Sequence, residues 1–69
     1  MKKTIVIEGM NCEHCENHTE KELLKIEGVV KAEADADKNQ AVVELEKEIG
    51  EVEFKSAVKK AGYKYVKTL

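Results

Sequence analysis

The chain has 69 residues, of which 38% are charged and 42% apolar, and its formal net charge is −2. This length suits one small domain, so residues 1–69 are expected to form a single domain. The composition is that of a folded globule, and with Lys and Glu interspersed nothing in the sequence resembles a basic nucleic-acid-binding surface. No apolar run approaches the roughly 20 residues that span a bilayer, so membrane insertion is not expected.

The first predicted element is a strand over Lys3–Glu8, in which Ile5 and Ile7 share one face and which Gly9 ends. Four uncharged residues precede Glu8 after the lysine pair, whereas a secretory signal needs an apolar stretch of about 7–15 residues. We therefore expect a cytoplasmic protein. The start methionine shortly before this strand, and an end just past the last strand, favour a free-standing protein over an excised domain.

A loop over Met10–Cys15 is predicted to lead into a helix over Glu16–Glu27. Thr19, Leu23 and Ile26 recur at helical spacing and should face the core. Gly28 stands where a glycine C-cap is expected.

The next two segments are predicted to pair as a hairpin. Val29–Ala36 alternates, with an inward face of Val30, Ala32, Ala34 and Ala36, although alanine is depleted in strands. A polar turn follows over 37–40. The second strand, over Ala41–Glu46, has an inward face of Ala41, Val43 and Leu45.

The final elements are a helix over Glu51–Ala61, ended by Gly62, and a strand over Tyr63–Leu69. The helix should bury Phe54, Ala57, Val58 and Ala61, and the strand Tyr63, Tyr65 and Val66. The order β-α-β-β-α-β predicts an α+β, ferredoxin-like fold, in which both helices cover one face of a four-stranded antiparallel sheet.

The chemistry of the sequence is concentrated in Cys12 and Cys15, which two residues separate. In a cytoplasmic protein such a pair indicates metal binding or redox chemistry rather than a structural disulfide. Thiolate sulfur selects soft ions such as Cu(I), Zn(II) and Hg(II). Structural zinc takes four ligands, and no second pair is present, so a two-sulfur site favours an ion of low coordination, of which Cu(I) is the ordinary cellular example.

The helix start should make the two thiols unequal. Cys15 lies at or near the first helical turn, whose unpaired amides stabilise a thiolate. Cys12 precedes the helix and should be more exposed. A partner's thiolate could therefore reach a bound ion before the first pair releases it.

The segment Ile7–Cys15, with Gly28-Val29 and Ala61-Gly62-Tyr63 at their distances, resembles the heavy-metal-associated (HMA) domain family. Within that family the chain is most similar to free-standing bacterial copper chaperones, and the resemblance covers nearly the whole chain. It implies a carrier rather than an enzyme, which takes Cu(I) to a copper-transporting P-type ATPase or a copper-sensing repressor.

The resemblance also implies roles for individual residues. Cys12 and Cys15 match the metal ligands, and Met10 matches a methionine that packs into the core and braces the loop. Tyr63 matches an aromatic position close to the metal loop. His14 matches a histidine often found between the cysteines, where it could act as a third ligand, as a group that tunes the thiolates, or as a solvated side chain.

Several alternatives remain at this level. Another soft metal could occupy the site, although Asn11 stands where zinc and cadmium domains of the family tend to carry aspartate. A thiol–disulfide oxidoreductase would use the same cysteine spacing, but the chain has no proline. A copper-bridged homodimer is compatible with a two-cysteine site. The alanines at 32, 34 and 36 replace larger residues of the family and predict looser packing unless the helices compensate.

Overall fold

The computed structural model describes residues 1–69 and confirms the predicted order of elements. The strands are β1 (Lys2–Glu8), β2 (Val29–Asp35), β3 (Gln40–Leu45) and β4 (Lys64–Thr68), and the helices are α1 (Glu13–Leu24) and α2 (Glu51–Ala61). The sheet has the order β2-β3-β1-β4, and every neighbouring pair is antiparallel. Helix α1 contacts β2, α2 contacts β4, and the helices contact each other, as expected when both cover one face.

The core lies between this helical layer and the central strands. Ile5 and Ile7 on β1 and Val43 on β3 are fully buried, as their alternation predicts. The helices contribute the predicted Leu23, Phe54, Ala57, Val58 and Ala61. Burying a large apolar side chain of this kind stabilises the fold by about 1.5–3 kcal/mol, so apolar contact is the main force that holds the helices on the sheet.

Helix α1 begins and ends three residues earlier than predicted. Cys12 has extended backbone angles and serves as the N-cap, since its carbonyl accepts hydrogen bonds from the amides of Cys15 and Glu16. The helix stops before Lys25, which leaves Ile26 half-buried in the following turn. Gly28 is therefore not its C-cap. With φ of +103°, it instead turns the chain into β2. Neither helix is long and apolar enough to cross a bilayer.

The predicted inward face of β2 is wrong at its start. A bulge between Val29 and Lys31 buries Val29 and leaves Val30 56% exposed. Ala34 is buried, whereas Ala32 and Ala36 are half-buried against the core.

The last strand also differs from its prediction, because it begins at Lys64 rather than Tyr63. Since successive side chains point to opposite faces, Val66 is 44% exposed while Tyr65 packs against the core. The helix before it is as predicted, and Gly62 caps α2 with φ of +97°.

Strand β2 is an edge of the sheet, and two carboxylates of α1 cover part of that edge. The amide of Ala34 in β2 donates to Glu20 over 2.8 Å, and the amide of Ala36, in the turn just after β2, donates to Glu16 over 2.7 Å. Edge amides are otherwise free to pair with another chain. The same contacts fix α1 onto the sheet close to Cys15.

Candidate metal centre

The junction of β1 and α1 positions both cysteines. Gly9 ends β1 with φ of +104°, a conformation that favours glycine, and lies against the ring of Tyr63. Met10 then turns into the core, where it is only 3% exposed. This confirms the expectation that Met10 packs inside. The chain returns to the surface at Asn11 and Cys12, immediately before the helix.

The structure brings the two thiols together. The Sγ atoms of Cys12 and Cys15 lie 2.9 Å apart, and both cysteines are free. Cys12 is exposed and Cys15, in the first turn of α1, is half-buried, as the sequence predicts. At this distance the two sulfurs share a hydrogen bond, which requires one of them to keep a proton while the other accepts it.

The surroundings favour the thiolate of Cys15. Its pKa falls from 9.0 to about 7, first because the backbone of Asn11 hydrogen-bonds to the sulfur, and then because Cys12 and the Tyr63 hydroxyl do so. The same contact with Cys15 is the main cause that raises the pKa of Tyr63 to about 12. Tyr63 therefore lies at the metal loop as expected, and its phenol stays protonated beside the sulfur.

The sulfur spacing indicates what must change when an ion enters. Thiolate–metal bonds are about 2.3 Å long for zinc, so an ion held by two sulfurs needs them about 3.8 Å apart at a tetrahedral angle and about 4.6 Å apart in a line. The loop must therefore open by roughly 1–2 Å. No His, Asp or Glu joins the two thiols in a cluster of three or more metal-binding side chains.

His14 and His18 lie outside this pair. Both are exposed on α1, and neither forms a hydrogen bond to Cys12 or Cys15. The geometry thus favours the solvated alternative for His14.

Two features of the site escaped the sequence predictions. The first is Thr19, expected only to face the core: its hydroxyl lies 2.9 Å from the carbonyl of Cys15 and 3.3 Å from the sulfur of Met10. The second is the extent of a separation of charge, of which the sequence predicts only that one of Lys59, Lys60 and Lys64 could lend positive potential to the metal loop. All 14 acidic residues precede Phe54, whereas five exposed lysines follow it.

Three of these lysines border a groove beside the metal loop. A cavity of about 410 Å³ between α2 and β4 is lined by Lys55, Lys59, Tyr63, Lys64 and Tyr65. Because Tyr63 also contacts Cys15, the positively charged region continues to the thiol pair. A chain whose net charge is negative thus presents a basic surface next to its two sulfurs.

Comparison with known proteins agrees with this geometry. The heavy-metal-associated domain profile matches residues 4–64. A copper chaperone CopZ of Staphylococcus haemolyticus is 44% identical, with 91% of this chain and 94% of that protein covered.

Solved structures show the same fold. A structure described as CopZ metallochaperone superposes with a TM-score of 0.87 at 28% identity, covering 96% of this chain and all of the other. The Cu(I)-loaded N-terminal domain of a potential copper-translocating P-type ATPase from Bacillus subtilis is 43% identical, with a TM-score of 0.79 and coverage of 93% and 81%. The chain belongs to the heavy-metal-associated domain family.

Proposed function

We propose that this protein is a Cu(I) metallochaperone in which Cys12 and Cys15 bind one ion and pass it to a partner by thiolate exchange. The observation that carries the proposal is the convergence of two free thiols, 2.9 Å apart, at the exposed start of α1. Two soft ligands without a third suit Cu(I) better than zinc, which takes four ligands in structural sites. The copper chaperone relatives support the same metal, and the family is one of metal carriers rather than catalysts.

The unequal exposure of the two thiols suggests an order of exchange. Cys12 is exposed and serves as the helix N-cap, whereas Cys15 is half-buried and hydrogen-bonded by the loop. A partner's thiolate would reach the ion from the side of Cys12, form a third bond, and displace Cys12 first. Cys15 would then release the ion last, because its sulfur is the better stabilised thiolate.

The protein would act in the cytoplasm, and its partner would be a copper-transporting P-type ATPase. A copper-sensing repressor is a second candidate. A copper-exporting ATPase of Bacillus subtilis is 46% identical to this chain over 59 residues, which form 7% of that protein. The lysine-lined groove beside Tyr63 would attract an acidic partner surface and orient it toward the thiols. A copper-bridged homodimer would use the same open site. In either state, residues 1–69 would act as one domain.

The decisive experiment is anaerobic competition for Cu(I) against a chromophoric chelator. Cys12→Ser and Cys15→Ser should each abolish tight binding, whereas His14→Ala and His18→Ala should match the wild type because these side chains stand apart from the thiols. Tight Cu(I) binding retained by both serine variants would refute the proposal.

Parallel titrations with Zn(II) and Hg(II) separate copper from the other soft metals. We expect the two-thiol site to hold Zn(II) far more weakly than Cu(I), since it leaves two positions of a tetrahedral zinc ion unfilled. A higher affinity for Zn(II) than for Cu(I) would transfer the proposal to zinc. Sedimentation of the loaded protein would show whether two copies share the ion.

A further inference from the structure

Thr19 is a polar side chain enclosed by an otherwise apolar core. It lies in α1, is 0% exposed, and is the one polar residue among the buried side chains. Enclosing a hydroxyl costs free energy unless it is hydrogen-bonded, and valine would have nearly the same shape without that cost. A threonine here therefore calls for an acceptor, and the structure places two within reach of its single hydrogen, a carbonyl and a thioether sulfur.

The carbonyl of Cys15 is a common acceptor for a helical threonine, whereas the sulfur of Met10 is an unusual one. A helical threonine commonly donates to the carbonyl four residues earlier, which here is that of Cys15 at 2.9 Å. The sulfur of Met10 lies 3.3 Å from the same hydroxyl, although it belongs to the loop that precedes Cys12. One hydroxyl thus contacts both sides of the thiol pair: the loop leading to Cys12 and the helical turn that carries Cys15.

This bridge spans the segment that has to open. The sulfurs are 2.9 Å apart in the closed loop, and an ion requires them roughly 1–2 Å further apart. Met10 is buried and fixes one side of the loop, while Glu16 fixes the first turn of α1 to the turn that follows β2. The hydroxyl of Thr19 lies where these two fixed parts meet.

We infer that Thr19 is a positioning residue whose hydroxyl stabilises the closed, metal-free loop. By favouring close sulfurs, it lowers the affinity of the site for the ion and assists release. The link to metal release rests on the proposed function of Cys12 and Cys15. The effect on the empty loop does not, because it concerns only the distance between the two thiols.

The test compares Thr19→Val, which removes the hydroxyl but keeps the shape, with Thr19→Ser, which keeps the hydroxyl. The metal-free protein is equilibrated with glutathione disulfide. Both thiols give up a proton and together two electrons, the Cys12–Cys15 disulfide forms, and one glutathione disulfide becomes two reduced glutathiones. Disulfide sulfurs lie about 2.05 Å apart, so a closed loop favours this product.

We expect Thr19→Val to lower the disulfide equilibrium constant and to raise Cu(I) affinity in chelator competition. The two changes multiply to about fivefold, the factor that one ordinary hydrogen bond contributes, and the larger share falls on Cu(I) affinity because the metal-free loop is closed. The urea midpoint of the variant should equal or exceed that of the wild type. Thr19→Ser should keep the wild-type disulfide and Cu(I) constants. A merely structural role for the hydroxyl would instead lower the urea midpoint and would not move the two constants in opposite directions.

The outcomes separate the two proposals. If neither constant changes in Thr19→Val, or if both fall together, the inference about Thr19 is overturned. If the wild type binds no Cu(I) but the disulfide constant of Thr19→Val falls as expected, the proposed function fails while the effect of Thr19 on the loop stands.

Discussion

Removing the two carboxylates that cover the edge of β2 should weaken the fold and open the chain to self-association. Glu20 accepts from the amide of Ala34 and Glu16 from that of Ala36, at 2.8 and 2.7 Å. Alanine is the best helix former, so replacing both glutamates with alanine does not lower the helix propensity of α1. The double variant also loses the favourable first-turn charge of Glu16, a loss that a control variant at Glu13 in the same turn matches. What the double variant loses beyond the control is the connection between the helix and the edge of the sheet.

The structure sets the size of the effect. Hydrogen bonds to charged groups contribute about 1.5–3 kcal/mol when their loss leaves a buried amide unpaired. Here the freed amides lie at a sheet edge and can bind water, so about 1 kcal/mol each, or about 2 kcal/mol for the pair, is the appropriate loss. In a domain of this size 1 kcal/mol shifts Tm by about 4–8 °C, which predicts a fall of roughly 10 °C.

Thermal unfolding followed by circular dichroism would measure the loss, and sedimentation velocity would detect association through the uncovered edge. Two controls isolate the cause. The Gln pair, Glu16→Gln with Glu20→Gln, keeps an acceptor oxygen and should lose less than the alanine pair. The pair Glu13→Ala with Glu46→Ala removes the same charge at exposed positions outside these contacts. If it unfolds at the same temperature as the double variant at 16 and 20, the reasoning is refuted.

Three further predictions concern the site. Tyr63→Phe removes a hydroxyl that stabilises the thiolate, so the pKa of Cys15 should rise above about 7. The pH dependence of iodoacetamide alkylation measures this pKa, and an alkylation midpoint that does not change contradicts the contact between Tyr63 and Cys15. Because folding lowers the pKa of Cys15 from 9.0 to about 7, its stabilising effect is fully present above pH 9 and is lost as the pH falls through 7. The urea midpoint should therefore rise between pH 7 and 9 in the wild type, and less in Cys15→Ser. If the urea midpoint rises equally with pH in both proteins, the stabilising effect of the Cys15 thiolate is contradicted. Finally, the pair Lys59→Glu with Lys64→Glu should slow Cu(I) transfer to an acidic partner domain about tenfold at low salt while leaving Cu(I) affinity unchanged; equal transfer rates at low and high salt in the wild type would exclude this role.

The sequence predicts most of the fold where one periodicity is unopposed. Ile5 and Ile7 alternate with more exposed residues, and Phe54 and Val58 recur at helical spacing before a glycine, so β1 and α2 are recovered almost to the residue. β2 is less determined, because Val29 and Val30 are both apolar and only the bulge decides which one is buried. The predicted start of α1 lies three residues too late because its N-cap is Cys12, and cysteine is not among the usual capping residues.

In the site, too, some features follow from the sequence and others depend on the packing of the chain. The spacing of Cys12 and Cys15 and their place at a helix start were sufficient to predict converging, unequally exposed thiols. The contact of Thr19 with Met10 could not be predicted, because it joins residues nine apart across a loop of irregular backbone. The basic groove could have been inferred from charge distribution alone, but its position beside Tyr63 required the packing of α2 against β4.

The relation between the site and the core argues for a carrier. In domains that are folded by their metal, the ligands replace the core, and removing the ion unfolds the chain. Here a cluster of 13 buried apolar residues forms the core, and the two thiols lie outside it. The fold therefore does not depend on the ion, and none of the core contacts must break for the ion to leave. If Cys12 and Cys15 hold the ion as proposed, loading would change the distance between two sulfurs in a loop whose ends, at Met10 and Glu16, are fixed to the rest of the protein. A site built in this way can bind and release an ion repeatedly without unfolding, as delivery to a partner requires.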